Sequence, residues 1–399
     1  MFSSLKVRNF RIYWFGMLVS LIGTWISQVA QSWLIFSLTN SAFLLGFVGF
    51  LNSLPVLILS LFAGVLADRL DKRKILIITQ IVFMCLAFLL AILTQFKLIT
   101  PGQIMLIALL NGAVMAFDAP SRQAMVVEMV GKAHLPNAIA LNSVAFNSSR
   151  IIGPALAGVL VAAIGMSGCF YINGFSFFAV IAALVLIRVE FKPAHQQHHG
   201  SPAKDLKEGL TFIKGDSLIM SLISMVGVVS LFGISYIILM PVFANDVLHV
   251  GVKGLAMLMS ASGMGALIGA LILARLGDFK GKGVFLLVSA FVFSFALIVF
   301  ALSKSYFLSL MMLIFIGASS VTSVALVNTV LQTNVPDRFR GRVMSVFMIT
   351  FAGVMPFGNL IAGSLAQAYG VAVAVAAGGA VCVLFMTVIV IRFPEIRKI

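Results

Sequence analysis

Two charges in this sequence sit deep inside apolar stretches. They are Asp118, in Ala116-Phe-Asp-Ala-Pro120, and Arg150, just before Ile151-Ile-Gly-Pro154. A charge held in hydrocarbon costs several kcal/mol unless it is paired, so an Asp118–Arg150 ion pair is the economical expectation. Arg122, one helical turn from Asp118 at i, i+4, competes for the same carboxylate. Three chemistries are open to such a pair. Asp118 can take up and release a proton as its surroundings change, it can be half of a fixed structural ion pair, or it can touch a substrate directly.

Uncharged polar and adaptable groups mark a candidate cavity around these charges. Trp25, Gln28 and Ser32 share one helical face, and Asn111 lies two turns from Asp118 on its own face. Asn142 and Asn147 precede Arg150, and Ser323 and Asn359 stand in later apolar stretches. Phe232, Tyr236 and Met240 offer aromatic and thioether surface suited to a large apolar substrate. Helix–helix hydrogen bonding and core packing use the same residue types, so each has a structural alternative.

Enzyme chemistry finds no support. The five histidines, 134, 195, 198, 199 and 249, all fall in or near loops, and no deep Ser–His or paired-carboxylate arrangement exists. Cys85, Cys169 and Cys382 stand alone in separate apolar stretches, without metal or redox spacing. His195, His198 and His199 share a polar loop, where solvated side chains are the ordinary outcome. No nucleotide-binding glycine loop of the G-x-x-x-x-G-K type occurs. No metal and no cofactor is expected.

The elements that must position these residues are long apolar helices. Charged residues are 10% of the 399 and hydrophobic ones 61%. Twelve apolar stretches lie at roughly 12–37, 42–67, 74–96, 102–127, 137–164, 168–189, 215–244, 252–275, 284–303, 306–333, 341–368 and 371–392, each long enough to cross a bilayer as a helix. The first is too long for a cleaved signal segment. Of 27 Lys and Arg, only Lys97, Lys253 and Lys304 fall on one side of the alternating loops, with Arg150 inside a span and the rest on the other side. This positive-inside asymmetry predicts both termini in the cytoplasm of a multi-pass protein of the inner or plasma membrane. It also explains the net charge of +15 through topology and anionic lipid rather than nucleic acid.

A weak internal repeat at about 205 residues aligns Gly64 with Gly269 and Gly158 with Gly363. The expected fold is an all-α membrane protein of twelve transmembrane helices in two pseudo-symmetric six-helix bundles, 1–189 and 215–399. A cytoplasmic linker over 190–214 joins them. Residues 204–213 within it have the pattern of a short amphipathic surface helix.

With these parts in view the chain resembles the major facilitator superfamily over essentially its whole length. Gly64-Val-Leu-Ala-Asp68-Arg69-Leu-Asp71-Lys72-Arg73-Lys74 follows the superfamily signature after the second span, departing from it at Asp71, where glycine is usual. The resemblance implies a conformational gate at Gly64, Asp68, Arg69, Lys72 and Arg73, whose contacts hold the halves together on the inner side. Enforcement of topology alone is the simpler role for these charges. Gly153-Pro154-Ala-Leu-Ala-Gly158 resembles the antiporter signature, with Ala157 replacing one of its glycines. Asp118-Ala-Pro-Ser-Arg-Gln123, Leu135-Pro-Asn-Ala and Val335-Pro-Asp-Arg-Phe-Arg-Gly-Arg342 are similar to the enterobactin-exporter and macrolide-efflux group. That resemblance implies a monomeric secondary transporter, in contact with membrane lipids, that exports small amphipathic molecules in exchange for protons. A lysophospholipid or lipid flippase and an uncoupled facilitator of the same fold are the alternatives.

Overall fold

The computed structural model describes residues 3–187, 202–277 and 279–398, without the side chains at 61, 65, 67–69, 132, 202–205 and 398. Among the described residues every regular element is helical. The spans are α1 (Arg8–Thr39), α2 (Ala42–Arg69), α3 (Lys72–Gln95) and α4 (Pro101–Gly131), followed by one apolar segment, Ala133–Leu186. That segment runs 54 residues, about 80 Å at ~1.5 Å per residue, far more than the ~30 Å of hydrocarbon. It breaks at Gly165, where φ is 74°, a left-handed value that glycine adopts without a Cβ penalty. The segment is therefore two crossings, α5 (133–164) and α6 (166–186).

A short helix α7 (Pro202–Gly215) precedes the later spans: α8 (Ser217–Val247), α9 (Gly251–Leu276), α10 (Lys282–Leu302), α11 (Tyr306–Asn334), α12 (Asp337–Tyr369) and α13 (Val371–Arg392). Among the described residues eleven helical segments are long and apolar enough to cross a membrane, and dividing Ala133–Leu186 at Gly165 makes twelve, the number of apolar stretches expected. The amphipathic helix expected over 204–213 extends to the full α7. Regularity is lost at two π-type turns in α8, Val229–Gly233 and Phe243–Val247, and at Val354 in α12, just ahead of Pro356.

The chain divides into two compact units, Met1–His195 with Gly251–Ser260, and Gln196–Val250 with Ala261–Ile399. One end of the first unit is packed around Phe10, Tyr13, Met17, Leu76, Met129 and Phe177, which come from α1, α3, α4 and α6. Trp14 ties α1 to α5 by donating from Nε1 to the Leu141 carbonyl at 3.1 Å. In the second unit the rings of Phe243 and Phe300 lie 4.6 Å apart at a tilt of 38°, and Tyr236 meets Phe300 edge-on at 6.3 Å. Helix α7 packs on the start of α12 through a Phe212–Phe339 stack at 4.5 Å and a Glu208–Arg342 ion pair at 2.7 Å.

Glycine contacts repeat between the units. A Cβ at Gly112 of α4 would strike the Asn52 carbonyl of α2, and one at Gly317 of α11 would strike the Ser262 carbonyl of α9. Gly153 of α5 abuts Trp25 of α1, as Gly358 of α12 abuts Leu231 and Ser235 of α8. Gly317 and Gly358 each stand about 205 residues after their counterparts, so the sequence repeat is also a repeat of helix-packing points.

Candidate functional site

Asp118 lies on α4, and the neighbour that reaches it is α3. Helix α3 begins cleanly because the Asp71 carboxylate caps it, accepting from the backbone N–H groups of Arg73 and Lys74. The departure of Asp71 from the glycine of the superfamily signature thus has a local reason. Two turns on, about 11 Å along the axis, α3 presents Thr79 and Gln80 to α4. Helix α4 is fixed at its other end by a capping box between Thr100 and Gln103 and carries Asp118 and Arg122 on one face.

The Asp118 carboxylate is 0% exposed and fully engaged. Arg122 donates to Oδ2 from Nε at 3.0 Å and Nη2 at 2.6 Å. Gln80 donates to Oδ1 from Nε2 at 2.6 Å, and the Thr79 hydroxyl lies 3.0 Å from the same atom. Four donors fill the sites a carboxylate offers. Tyr13 of α1, itself buried, lies within electrostatic range of both charges. The arrangement corrects the expected Asp118–Arg150 pair. The competing i, i+4 partner Arg122 takes the carboxylate, because its fork reaches Oδ2 from one turn away on the same helix. Arg150 stays half-buried on α5.

Thr79 and Gln80 were missed in the sequence. The signal was there: two adjacent polar residues interrupt the apolar run Ile75-Leu-Ile-Ile-Thr-Gln-Ile-Val82. Gln80 Oε1 and Ser121 Oγ are buried here with no partner.

At the start of α3, Lys72 is 5% exposed and bonds Glu128 at 2.6 Å, linking α3 to α4. Arg73 donates from Nε to the Leu184 carbonyl at 2.6 Å and from Nη2 to the Val185 carbonyl at 2.7 Å, closing the end of α6. These contacts of Lys72 and Arg73 lie inside the first unit. Gly64 has open space at its Cβ position, and the Asp68 and Arg69 side chains lie outside the described residues, as do His195, His198 and His199.

In the antiporter-like stretch, Gly153 lets α5 approach Trp25, which also meets Phe146 edge-on at 5.8 Å. Pro154 is buried within continuous helix. Gly158 faces Ala256 in the part of α9 that belongs to the first unit, and Ser260 there donates to the Ile151 carbonyl at 3.0 Å. An apolar crevice of about 400 Å³ opens beside this contact, lined by Ala155, Gly158, Val159, Ala162, Lys253 and Met257.

The remaining cavity candidates separate by environment. Gln28 is exposed, while Trp25, Ser32, Asn111, Asn142, Asn147 and Phe232 are half-buried. Ser32 bonds the Val29 carbonyl, and Asn147 bonds the Ser143 carbonyl, so both serve their own helices. Asn142 Oδ1 and Ser323 Oγ are buried without a partner. Tyr236 and Met240, expected on a cavity wall, are buried packing residues: Tyr236 OH bonds Ser262 at 3.0 Å, and Met240 is 1% exposed. Asn359 is also buried. Among the described residues no cluster of His, Cys, Asp or Glu has metal-site geometry.

The family model described as transmembrane secretion effector matches residues 1–399. The staphyloferrin A transporter of Staphylococcus aureus is 30% identical over 360 residues, covering 88% of this chain and 87% of that protein. The multidrug efflux pump Tap of Mycolicibacterium fortuitum is 25% identical over 96% of this chain and 95% of its own length. Among solved structures, an inward-facing bacterial homologue of the human lysosomal transporter Spinster superposes with a TM-score of 0.72 at 14% identity, over 98% of this chain and 95% of that one. That likeness carries the fold and nothing finer. Twelve helical crossings, the repeated packing points and the full-length family match together make this chain a membrane transporter of the major facilitator superfamily, in its transmembrane secretion effector family.

Proposed function

We propose that this transporter exports small amphipathic molecules, siderophore-like or drug-like, by proton antiport with alternating access of its two halves. It works as a monomer in the cell's inner or plasma membrane with both termini cytoplasmic. The observation that carries the reading is the Asp118–Arg122 pair. A carboxylate with no exposure is held by a guanidinium whose side chain is 25% exposed, so one end of the ion pair is not sealed within the packed helices. A transporter that exchanges a proton for a cation or amphiphile needs an acid whose partner can be withdrawn between states. The relatives that handle a siderophore and multiple drugs support the substrate class. Gly64, Asp68, Arg69, Lys72 and Arg73 form the inner gate in this reading, and Gly153, Pro154 and Gly158 the helix contact that rocks.

The test is uptake of the dye Hoechst 33342 into everted vesicles under an imposed proton gradient, with Asp118→Asn at matched expression. The expected result is that the variant equilibrates dye downhill but no longer concentrates it. Equal concentration by both proteins replaces antiport with uncoupled facilitation or coupling at another residue. The open apolar crevice at Ala155–Ala163 favours a second reading, lipid flipping, which a fluorescent lysophospholipid moved in place of the dye would support.

A further inference from the structure

The two oxygens of Asp118 have different kinds of partner. Oδ2 meets two N–H groups of Arg122, which donates only and does not give up its charge. Oδ1 meets a hydroxyl and a primary amide, both of which can donate or accept. The Thr79 hydroxyl has one proton and two acceptors within reach, Asp118 Oδ1 at 3.0 Å and the Leu76 carbonyl at 2.9 Å, and it serves one at a time. Gln80 gives its Nε2 to Oδ1 while its Oε1 is buried with no partner. A half-turn of that amide exchanges two ends of the same shape and forfeits no bond at Oε1.

We propose that Thr79 and Gln80 form a two-state cradle that keeps Asp118 Oδ1 hydrogen-bonded both as carboxylate and as carboxylic acid, so that the transported proton is carried on Oδ1. This rests on the reading of Asp118 as the coupling acid. In the ionised state, Thr79 and Gln80 both donate to Oδ1. When a hydronium delivers its proton to Oδ1 and leaves as water, the new O–H donates to Thr79 Oγ1 or to the turned Gln80 Oε1. In the first case the Thr79 proton swings to the Leu76 carbonyl. In the second Thr79 keeps its bond to Oδ1. Release to water on the other side reverses the sequence. Asp118 Oδ1 keeps a hydrogen-bonded partner in both states, and the half-turn leaves one end of the Gln80 amide without a partner as before, so it adds no further stranded group to oppose the cycle. The titratable groups facing Asp118 are Arg122 on its own helix and Tyr13 on α1, whereas α3 brings only neutral partners to the carboxylate. Thr79 and Gln80 are positioning residues: they act through Asp118.

The experiment combines transport with infrared spectroscopy on the purified full-length protein. Thr79→Val and Gln80→Leu keep size and remove the reversible partner. Each is expected to equilibrate Hoechst 33342 downhill as wild type does, to lose at least about tenfold in gradient-driven accumulation, and to move the midpoint of its pH profile. Thr79→Ser is expected to restore both. In wild type, the carboxylic-acid band absent from Asp118→Asn is expected to rise as pH falls, in step with a change in the isotope-labelled side-chain amide band of Gln80. An acid band that forms with the Gln80 amide unchanged, or pH profiles unaltered in both variants, overturns the cradle while leaving Asp118 as the coupling acid. Uphill transport retained by Asp118→Asn instead overturns the coupling reading itself, and the infrared result shows whether Asp118 titrates at all.

Discussion

At the scale of single residues, the energetics of Asp118 are set by burial. Removing one partner of a buried ion pair leaves an uncompensated charge at a cost of about 3–5 kcal/mol, whereas removing both costs much less. Arg122→Leu is therefore expected to lower the thermal unfolding midpoint strongly, and Asp118→Asn combined with Arg122→Leu to recover most of the loss. Thermal unfolding in detergent checks this, and equal loss in the single and double variants means that the pair contributes little. The Lys72–Glu128 bridge is different in kind, since Glu128 is 26% exposed and solvent screens part of the attraction. Glu128→Gln is expected to cost about 1 kcal/mol or less. The partner of Asp118 was only half legible in the sequence. The rule that a deep acid must be paired held, and i, i+4 spacing named Arg122 as one of two candidates. Arg122 prevailed because its fork reaches Oδ2 from one turn away on the same helix, and what placed Thr79 and Gln80 on Oδ1 was the rotation of α3 against α4, which hydropathy does not encode.

At the scale of helices, the close approaches are made by glycines whose Cβ position is already occupied by a neighbouring backbone oxygen. Gly112→Ala and Gly317→Ala both push a methyl into a carbonyl, at Asn52 and Ser262. Overpacking of this kind costs about 1–3 kcal/mol, and the two losses should be similar because the contacts repeat. Gly64→Ala and Gly341→Ala meet no atom within 4 Å and are expected to stay within about 0.5 kcal/mol of wild type. Size-exclusion profiles after heating discriminate the two classes. A Gly64→Ala protein that is stable but transports poorly locates the role of Gly64 in conformational change rather than packing. The number and order of spans were readable because twelve apolar runs of membrane length leave no other backbone solution in lipid. The α5–α6 turn falls in the gap expected between 164 and 168, and it is made at Gly165, whose φ of 74° glycine adopts without strain. The π-type turns of α8 and the break of α12 at Val354 were not readable. They alter the hydrogen-bond register inside segments whose hydropathy pattern carries no mark of the change, and packing against neighbours selects them.

At the scale of the whole chain, the expected orientation rests on charge. The connections expected outside are short, and of the cations they carry only Lys97, Lys253 and Lys304, while the opposite ends of the spans gather nearly all the others. Moving a cluster of Lys or Arg through the bilayer is costly, and the anionic inner leaflet holds such clusters where they are. Helix α7 belongs to the same side: its Glu208 pairs with Arg342 and its Phe212 stacks on Phe339, both at the start of α12 among Arg338 and Arg340. A protein with its three cysteines replaced isolates the question, because Cys169 and Cys382 are buried and Cys85 alone is exposed. In that background Lys97→Cys is expected to react with a membrane-impermeant maleimide in intact cells. Lys207→Cys, on α7, is expected to react only after permeabilisation. The opposite pattern inverts the topology and places the Lys72–Glu128 bridge and α7 outside. Under that outcome the positive-inside argument fails for this chain, and with it the assignment of the Lys72–Arg73 contacts to an inner gate.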